Sequence, residues 1–187
     1  MDITDFLTAQ ITFSHDELND ILAHFNKEEV QKNDLLLKEG QICKKLYFVH
    51  KGIARSYYLK KDGKDVTQWF FGQGVFMSSA DSFFNQTASY YYLEVLETSV
   101  LYSISHEKIT LLLEKYHKVE KFIRLLSISM LTKVVHKLNA IQFQTAKERY
   151  DYMNSEFPDI SHRVALSHIA SYLGMNQATL SRIRKIK

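Results

Sequence analysis

Cysteine and proline are nearly absent from this chain, which has 187 residues and one of each. A single thiol, Cys43, cannot form an intramolecular disulfide, nor can it supply the several thiolates that a zinc or iron–sulfur site requires. The eight histidines show no HxxxH spacing. The one HxxE pair, His117 and Glu120, has no further ligands at a matching spacing and is better explained as two neighbours on a helix surface. We therefore expect no metal site and no cofactor.

Long apolar runs are also missing. No uncharged segment approaches the roughly 20 residues that span a bilayer, and the first ten residues, MDITDFLTAQ, lack the basic start and apolar stretch of a signal peptide. The chain has no P-loop, no GxSxG and no recognisable pair of catalytic carboxylates. We expect a cytoplasmic protein that has no membrane partner and is not an enzyme.

Positive charge is concentrated at the C-terminal end. Between Ser161 and Lys187 there is no Asp or Glu, although the whole chain carries a formal net charge of only +3. The basic residues of this stretch are Arg163, Arg182, Arg184, Lys185 and Lys187. A basic terminus on a nearly neutral body is typical of a nucleic-acid-binding module.

The last 22 residues, LSHIASYLGMNQATLSRIRKIK, have the pattern of a helix-turn-helix. Gly174 suits the turn because glycine adopts positive φ at low cost, and Asn176 can cap the second helix. Leu180 and Ile183 recur at helical spacing and face a first helix whose apolar side is formed by Ile169, Ala170 and Leu173. The alternative is an ordinary helical hairpin at the end of a domain.

Upstream of this segment, the pattern changes twice. Residues 1–26 are predicted to be helical, with Ser14 as an N-cap, and residues 28–104 are predicted to be β-rich. Asp62-Gly63 is a strong hairpin signal within that region. Short strands with glycine turns favour a barrel or roll. Ser105 can cap the next helix.

A long helix without Gly or Pro is predicted from Val119 to Phe143. One apolar stripe consists of Ile123, Leu126, Met130, Val134, Leu138 and Ile141, and a second, formed by Ile128, Leu131 and Val135, flanks it. The stripe could simply pack on the β-domain. The two together leave room for a partner helix, so we expect a homodimer whose interface is the first stripe.

Two signals lie between the long helix and the terminal segment. Thr145 and Glu148 form a capping box that opens another helix, which Pro158 closes. The short alternating stretch PDISHRVALS is predicted to form a small hairpin, as in a winged-helix domain.

The order of these parts resembles the Crp/Fnr family of bacterial transcription regulators. The motifs that carry the resemblance are LLLKEG with Gly40, KLYFVHKGIARSYY with Gly52, FGQG at residues 71–74, TAKERY, and LSHIASYLGMNQATLSRIRK. It implies an α+β fold: a double-stranded β-helix (jelly-roll) sensor domain over 1–116, a dimerisation helix over 117–144 and a winged helix-turn-helix over 145–187. Because the chain stops two residues after Lys185, we expect no wing after the second helix.

The resemblance also implies which side chains meet DNA. Arg182 matches the family's base-contacting arginine, whereas Ala178 replaces an acidic residue that many members use to accept a hydrogen bond from cytosine, so the family's usual operator is not expected. The candidate DNA-binding residues are Ser167, Asn176, Gln177, Ala178, Thr179, Ser181, Arg182 and Lys185.

The segment that resembles the phosphate-binding cassette of cyclic-nucleotide-binding members departs from their pattern. Those members hold the cyclic phosphate with an Arg-Ser or Arg-Thr pair, but here Ala88 precedes Ser89, and no Lys or Arg occurs between Phe71 and Glu94. Three alternatives stay open: a roll filled by its own side chains, a less charged ligand, or a cyclic nucleotide held unusually. The candidate pocket residues are Phe71, Gly72, Phe76, Met77, Ser79, Ser82, Ala88, Ser89 and Ser127.

The sequence thus predicts a homodimeric, sequence-specific DNA-binding transcription regulator that does not respond to cyclic AMP. Its expected partners are double-stranded DNA and a second copy of itself, with RNA polymerase and an unidentified small ligand as further candidates. The alternative is a ligand-binding signalling module whose terminal helices contact protein. Steeply salt-dependent DNA binding would distinguish the first from the second.

Overall fold

A computed structural model describes residues 2–185 of the chain. The strands are β1 (Asn26–Val30), β2 (Leu35–Leu37), β3 (Lys45–Lys51), β4 (Ala54–Leu59), β5 (Asp65–Phe71), β6 (Phe76–Met77), β7 (Tyr92–Val95) and β8 (Ser99–Ser105). The helices are α1 (Ile3–Thr8), α2 (His15–Ala23), α3 (Ala80–Asn85), α4 (His106–Lys115), α5 (His117–Phe143), α6 (Ala146–Glu156), α7 (Ile160–Arg163), α8 (Leu166–Tyr172) and α9 (Gln177–Lys185). No helix in the described range is long and apolar enough to cross a membrane.

The strands form a jelly roll of two four-stranded sheets, in the orders β1-β8-β3-β6 and β2-β7-β4-β5. Strand β8 pairs antiparallel with two strands that are far from it in the sequence. Asn26 of β1 pairs with Ser103, and Lys45 of β3 pairs with Ser105. The interior contains large side chains such as Phe48, Phe70, Phe83, Leu93 and Leu101, each almost fully buried. The predicted β-rich region is therefore confirmed as a roll with a packed interior.

Residue contacts divide the chain into two compact units. The first comprises the residues up to Ser56 together with Phe70–Ser127, and the second comprises Tyr57–Trp69 together with the residues from Ile128 onward. The tip of the β4–β5 hairpin is thus grouped with the C-terminal helices rather than with the roll. Helix α5 contributes its first part to one unit and the remainder to the other.

The predicted helix starts are confirmed. The hydroxyls of Ser14, Ser105 and Thr145 each accept a hydrogen bond from a backbone N–H in the first turn of α2, α4 and α6. For α6 the capping box is complete, because the Glu148 carboxylate accepts from the Thr145 amide at 2.7 Å. These hydrogen bonds lower the pKa of Glu148.

The expected small hairpin after Pro158 is wrong. Residues 160–163 form the one-turn helix α7, and no strand lies between residues 145 and 185. Ile160 and Val164 are both buried, and the Val164 N–H donates to the Ile160 carbonyl at 3.0 Å. Two apolar residues four apart suit one face of a helical turn as well as an alternating strand, and packing in the second unit selects the helix. The expected winged form of this domain is therefore absent from the described residues.

Candidate nucleic-acid interface

Helices α8 and α9, here called the terminal helix pair, meet at a tight turn. Gly174 adopts φ +66°, a left-handed conformation that costs glycine little. The Asn176 side-chain oxygen accepts a hydrogen bond from the Thr179 N–H at 2.8 Å, so it caps α9 as predicted. The turn and the cap together fix where α9 begins.

Helix α9 has two chemically different faces. Leu180 and Ile183 are buried against α8, where Ile169, Ala170 and Leu173 are also buried. The opposite face carries Ala178, Arg182 and Lys185, all exposed. A short helix held by its apolar side, with a basic polar side turned to solvent, can lie in the major groove of DNA.

The predicted DNA-binding residues lie on this pair. Asn176, Gln177, Ala178, Arg182 and Lys185 are exposed, while Ser167, Thr179 and Ser181 are half-buried. Ser167, Asn176, Gln177 and Thr179 line one groove. Lys187, part of the predicted basic terminus, lies outside the described residues.

Arg149 forms a hydrogen bond with the end of α8 in the terminal helix pair, a role that the sequence did not reveal. Its Nε donates to the Leu173 carbonyl at 3.0 Å, at the C-terminal end of α8, and its Nη1 donates to the Gln144 carbonyl at 2.8 Å, just after α5. One guanidinium therefore satisfies carbonyls that two helix ends leave without intrahelical partners.

A second missed feature is a cluster of lysines in the β4–β5 hairpin. Lys60, Lys61 and Lys64 are exposed, and Lys60 and Lys64 line the same groove as Asn176 and Gln177. The run KKDGK was available in the sequence, but nothing local shows that a hairpin so distant in the chain lies beside α9.

Three of the four serine hydroxyls in the segment that resembles a phosphate-binding cassette make internal hydrogen bonds. Ser89 Oγ donates to Ser79 Oγ at 2.8 Å. Ser82 Oγ accepts from the Cys43 N–H at 2.8 Å and donates to the Thr87 carbonyl. All three serines are buried. These contacts stabilise the cassette itself, so a phosphate would have to compete with them.

The remaining pocket candidates are divided between interior and surface. Phe71, Phe76 and Met77 are buried in the roll. Gly72 is half-buried, whereas Ala88 and Ser127 are exposed, and the Ser127 hydroxyl donates to the Ile123 carbonyl within α5. The structure therefore places the candidates in more than one environment. Phe84, an aromatic residue that could have filled the roll, is instead 48% exposed.

Arg55 is a buried cation that lies close to the end of the cassette. Its Nε donates to Glu94 Oε2 at 2.8 Å, and the two side chains are 5% and 14% exposed. A buried ion pair of this kind is costly to break, because the remaining charge would be left without its partner. Among residues 2–185, no group of three or more His, Cys, Asp or Glu side chains could hold a metal ion.

Helix α5 carries large apolar side chains that the described chain leaves about half exposed. Six of them are 45–64% exposed: Ile128, Leu131, Val134, Val135, Leu138 and Ile141. The other members of the predicted stripe, Ile123, Leu126 and Met130, are half-buried. The open surface thus combines the second stripe with the C-terminal part of the first.

The jelly roll is the part of the chain that matches a known domain family. Residues 27–116 match the family described as the cyclic nucleotide-binding domain. This stretch extends from β1 through α4, so the match covers nearly all of the strands and the cassette but none of the C-terminal helices.

Solved bacterial regulators share the fold over most of the chain. CLP of Xanthomonas campestris, described as a c-di-GMP responsive global regulator, has a TM-score of 0.70 at 16% identity, covering 92% of this chain and 90% of CLP. FixK2 of Bradyrhizobium japonicum has a TM-score of 0.72 at 18% identity, covering 86% and 83%. The catabolite activator protein of Thermus thermophilus has a TM-score of 0.61 at 17% identity, covering 96% and 85%. At these identities the likeness establishes a common fold. No curated protein matches the sequence.

Proposed function

We propose that this chain is a homodimeric, sequence-specific DNA-binding transcription regulator of the Crp/Fnr type, acting on genomic DNA in the bacterial cytoplasm. The observation that carries the proposal is the two-sided helix α9. Leu180 and Ile183 hold it to the protein, while Arg182 and Lys185 stand exposed on its outer face. The fold shared with bacterial regulators over 92% and 86% of the chain supports the same proposal.

Base recognition is assigned to Arg182. Its guanidinium is exposed, with one nitrogen 3.4 Å from the Thr179 hydroxyl, a contact that restricts the side chain along the outer face of α9. Arginine binds guanine O6 and N7 with two parallel hydrogen bonds, the commonest specific contact in the major groove. Arg184 is also exposed but sits one residue past the buried Ile183, and we assign it to phosphate.

The test compares two arginine variants on a duplex selected from a random DNA library. Arg182→Ala should weaken binding to the selected duplex by about 1–3 kcal/mol and relax the preference at one base pair per half-site. Arg184→Ala should weaken selected and scrambled duplexes alike and reduce the slope of log K against log salt by about one. Fluorescence anisotropy over a range of salt concentrations measures both. Unchanged sequence preference in Arg182→Ala would show that the register assigned to α9 is wrong.

The second copy is assigned to the exposed apolar surface of α5. Six large apolar side chains on a single helix form a surface that a monomer would leave in contact with water. A second α5 would cover it and place two copies of α9 on the same side of a DNA duplex, with half-sites about 34 Å apart.

The effector is proposed to be something other than cyclic AMP. A cyclic phosphate buried in the roll needs a cation and donors in exchange for water. The cassette has no Lys or Arg, its three buried serine hydroxyls are already hydrogen-bonded, and Arg55 is paired with Glu94. If the unaltered chain binds no duplex in a salt-dependent manner, the alternative function, a signalling module whose terminal helices contact protein, takes precedence.

A further inference from the structure

The β4–β5 hairpin is attached to the terminal helix pair by two polar contacts within the second unit. The Thr67 N–H donates to Ser171 Oγ of α8 at 3.1 Å. On the same side, His168 Nε2 lies 3.6 Å from Asp65 Oδ2. Both contacts join β5 to α8, so the hairpin is held against the helix that supports α9.

A third attachment comes from α5. The Lys137 ammonium lies 3.9 Å from the centre of the Tyr172 ring and 5.1 Å from the centre of the Trp69 ring, and it donates to the Gln68 carbonyl. One side chain thus bonds β5 and stacks on α8 at once. The part of β5 that belongs to the second unit therefore has a defined position relative to the terminal helix pair.

The tip of the hairpin is basic. Lys60, Lys61 and Lys64 are exposed, and the single acid of the turn, Asp62, forms an ion pair with Lys64 at 3.1 Å. Two backbone hydrogen bonds close the turn: the Lys60 N–H donates to the Lys64 carbonyl, and the Gly63 N–H donates to the Lys60 carbonyl, both at 2.9 Å. The tip therefore presents a net positive charge on a fixed scaffold.

Between the tip and α9 lies an open groove of about 730 Å³. Tyr58, Lys60 and Lys64 form one side, and Asn176, Gln177 and Thr179 form the other. The N-terminal end of the proposed DNA-reading helix therefore borders the same space as Lys60 and Lys64 of the hairpin.

We infer that the β4–β5 hairpin is a second DNA-contacting arm, whose lysines bind backbone phosphates beside the groove that α9 enters. The inference rests on the proposed function, because it needs α9 to lie on DNA. Phosphates border both edges of the major groove, so a basic arm across from the start of a reading helix meets the backbone. No strand follows α6 in the described residues, so a β-wing from that region does not make these contacts.

Contacts of this kind position the protein and contribute affinity without sequence preference. Each phosphate neutralised adds about 0.9 to the magnitude of the salt slope. Two or three hairpin lysines should therefore account for about two units of that slope.

The test is a triple variant of the full chain, Lys60→Ala with Lys61→Ala and Lys64→Ala. A matched control replaces three exposed lysines of the first unit, Lys27, Lys32 and Lys38, with alanine. The hairpin variant should lose about two units of salt slope and about tenfold or more in affinity at low salt, equally on selected and scrambled duplexes. The control should show a smaller change in slope.

A single substitution that increases the positive charge of the hairpin tests the opposite effect on DNA binding. Asp62→Asn keeps an oxygen that can accept from the Lys64 N–H, a contact of 3.2 Å in the present chain, but it removes the negative charge that pairs with Lys64. It should tighten binding and steepen the salt slope. A hairpin variant with the slope of the control, or an Asp62→Asn variant that binds no more tightly than the unaltered chain, would overturn the inference.

The two failures are distinguishable. If Arg182→Ala loses sequence preference while the hairpin variant keeps its full slope, the proposed function stands and the hairpin arm is rejected. If the unaltered chain binds no DNA, both are rejected together.

Discussion

Gly52 occupies a position where any side chain would collide with a neighbouring strand. Its φ is +120°, and a Cβ placed on it would lie 2.1 Å from Ser99 Oγ and 2.6 Å from Ser99 Cβ. Gly40 also has a positive φ, +83°, but a Cβ there would meet nothing within 4 Å. A comparison of the two positions therefore separates the energetic cost of backbone strain from the cost of steric overlap.

We expect Gly52→Ala to destabilise the protein more than Gly40→Ala. Backbone strain at positive φ should cost about 1–3 kcal/mol in each, and steric overlap with Ser99 should add about 1–3 kcal/mol at Gly52 alone. Urea unfolding measures the free energy of each variant. Replacing Ser99 with glycine in the Gly52→Ala background should restore part of the overlap cost, whereas equal losses in the two single variants would contradict the steric explanation.

At the scale of single residues, the sequence predicted the helix-capping residues but not the hydrogen-bond partners of buried side chains. Ser14, Ser105 and Thr145 were found because a cap acts within three residues of its own position. The bond between Arg55 and Glu94 joins residues 39 apart in the chain, and no local pattern indicates it.

Helix α5 contains a half-buried lysine, Lys137, whose titration makes the stability of the protein depend on pH. Burial lowers the pKa of Lys137 to about 8, although the Tyr172 and Trp69 rings and the Gln68 carbonyl favour the charged amine. Burial also raises the pKa of Tyr172, so the phenol stays protonated over the same range. Loss of the lysine proton is therefore the local change expected between neutral pH and pH 10.

The sign of the effect follows from proton uptake on unfolding. Between pH 8 and about 10.5 the unfolded chain holds a proton on Lys137 that the folded chain has lost, so rising pH favours the folded state. Relative to Lys137→Met, the unaltered chain should gain on the order of 2 kcal/mol between pH 7 and pH 10. Urea unfolding of both proteins at four pH values measures the difference. Parallel curves would show that Lys137 keeps its ordinary pKa.

Two elements show where prediction by pattern ends. Strand β1 has the sequence NKEEV, whose charges do not favour a strand, yet it pairs with β8 along its whole length. Helix α7 occupies a stretch that alternates like a strand. In both, packing against distant residues outweighs a weak local preference.

For the whole molecule, dimerisation is expected to depend on the exposed surface of α5. Val134→Glu with Leu138→Lys places opposite charges four residues apart, an arrangement that favours the helix while it introduces charge into the proposed seam. The expected product is a folded monomer with poor DNA binding. Sedimentation equilibrium and circular dichroism measure assembly and folding.

A control variant tests the face of the helix. Ser129→Glu creates a similar pair with Lys133 on the opposite side of α5, where Ser129 is exposed. It should leave the dimer intact. A dimer that survives the Val134→Glu and Leu138→Lys changes would locate the seam elsewhere.

The second whole-molecule prediction concerns cyclic AMP. Without a bidentate cation, a buried cyclic phosphate should lose roughly 2–5 kcal/mol, which carries a micromolar site toward the millimolar range. Calorimetric titration with cyclic AMP and cyclic GMP, and DNA binding with and without each, test the prediction. A dissociation constant of tens of micromolar or tighter, together with altered DNA affinity, would refute it.

The sequence by itself determined the order of the parts, the helix starts and the two faces of α9, because periodicity, caps and turn residues act over a few neighbouring positions. It also determined that the cassette lacks a basic residue. Only the tertiary structure decided that β1 joins β8, that Arg55 pairs with Glu94, and that Thr67 bonds Ser171, which lies 104 residues further along the chain. Such contacts depend on which surfaces pack together, and packing is a property of the folded chain as a whole.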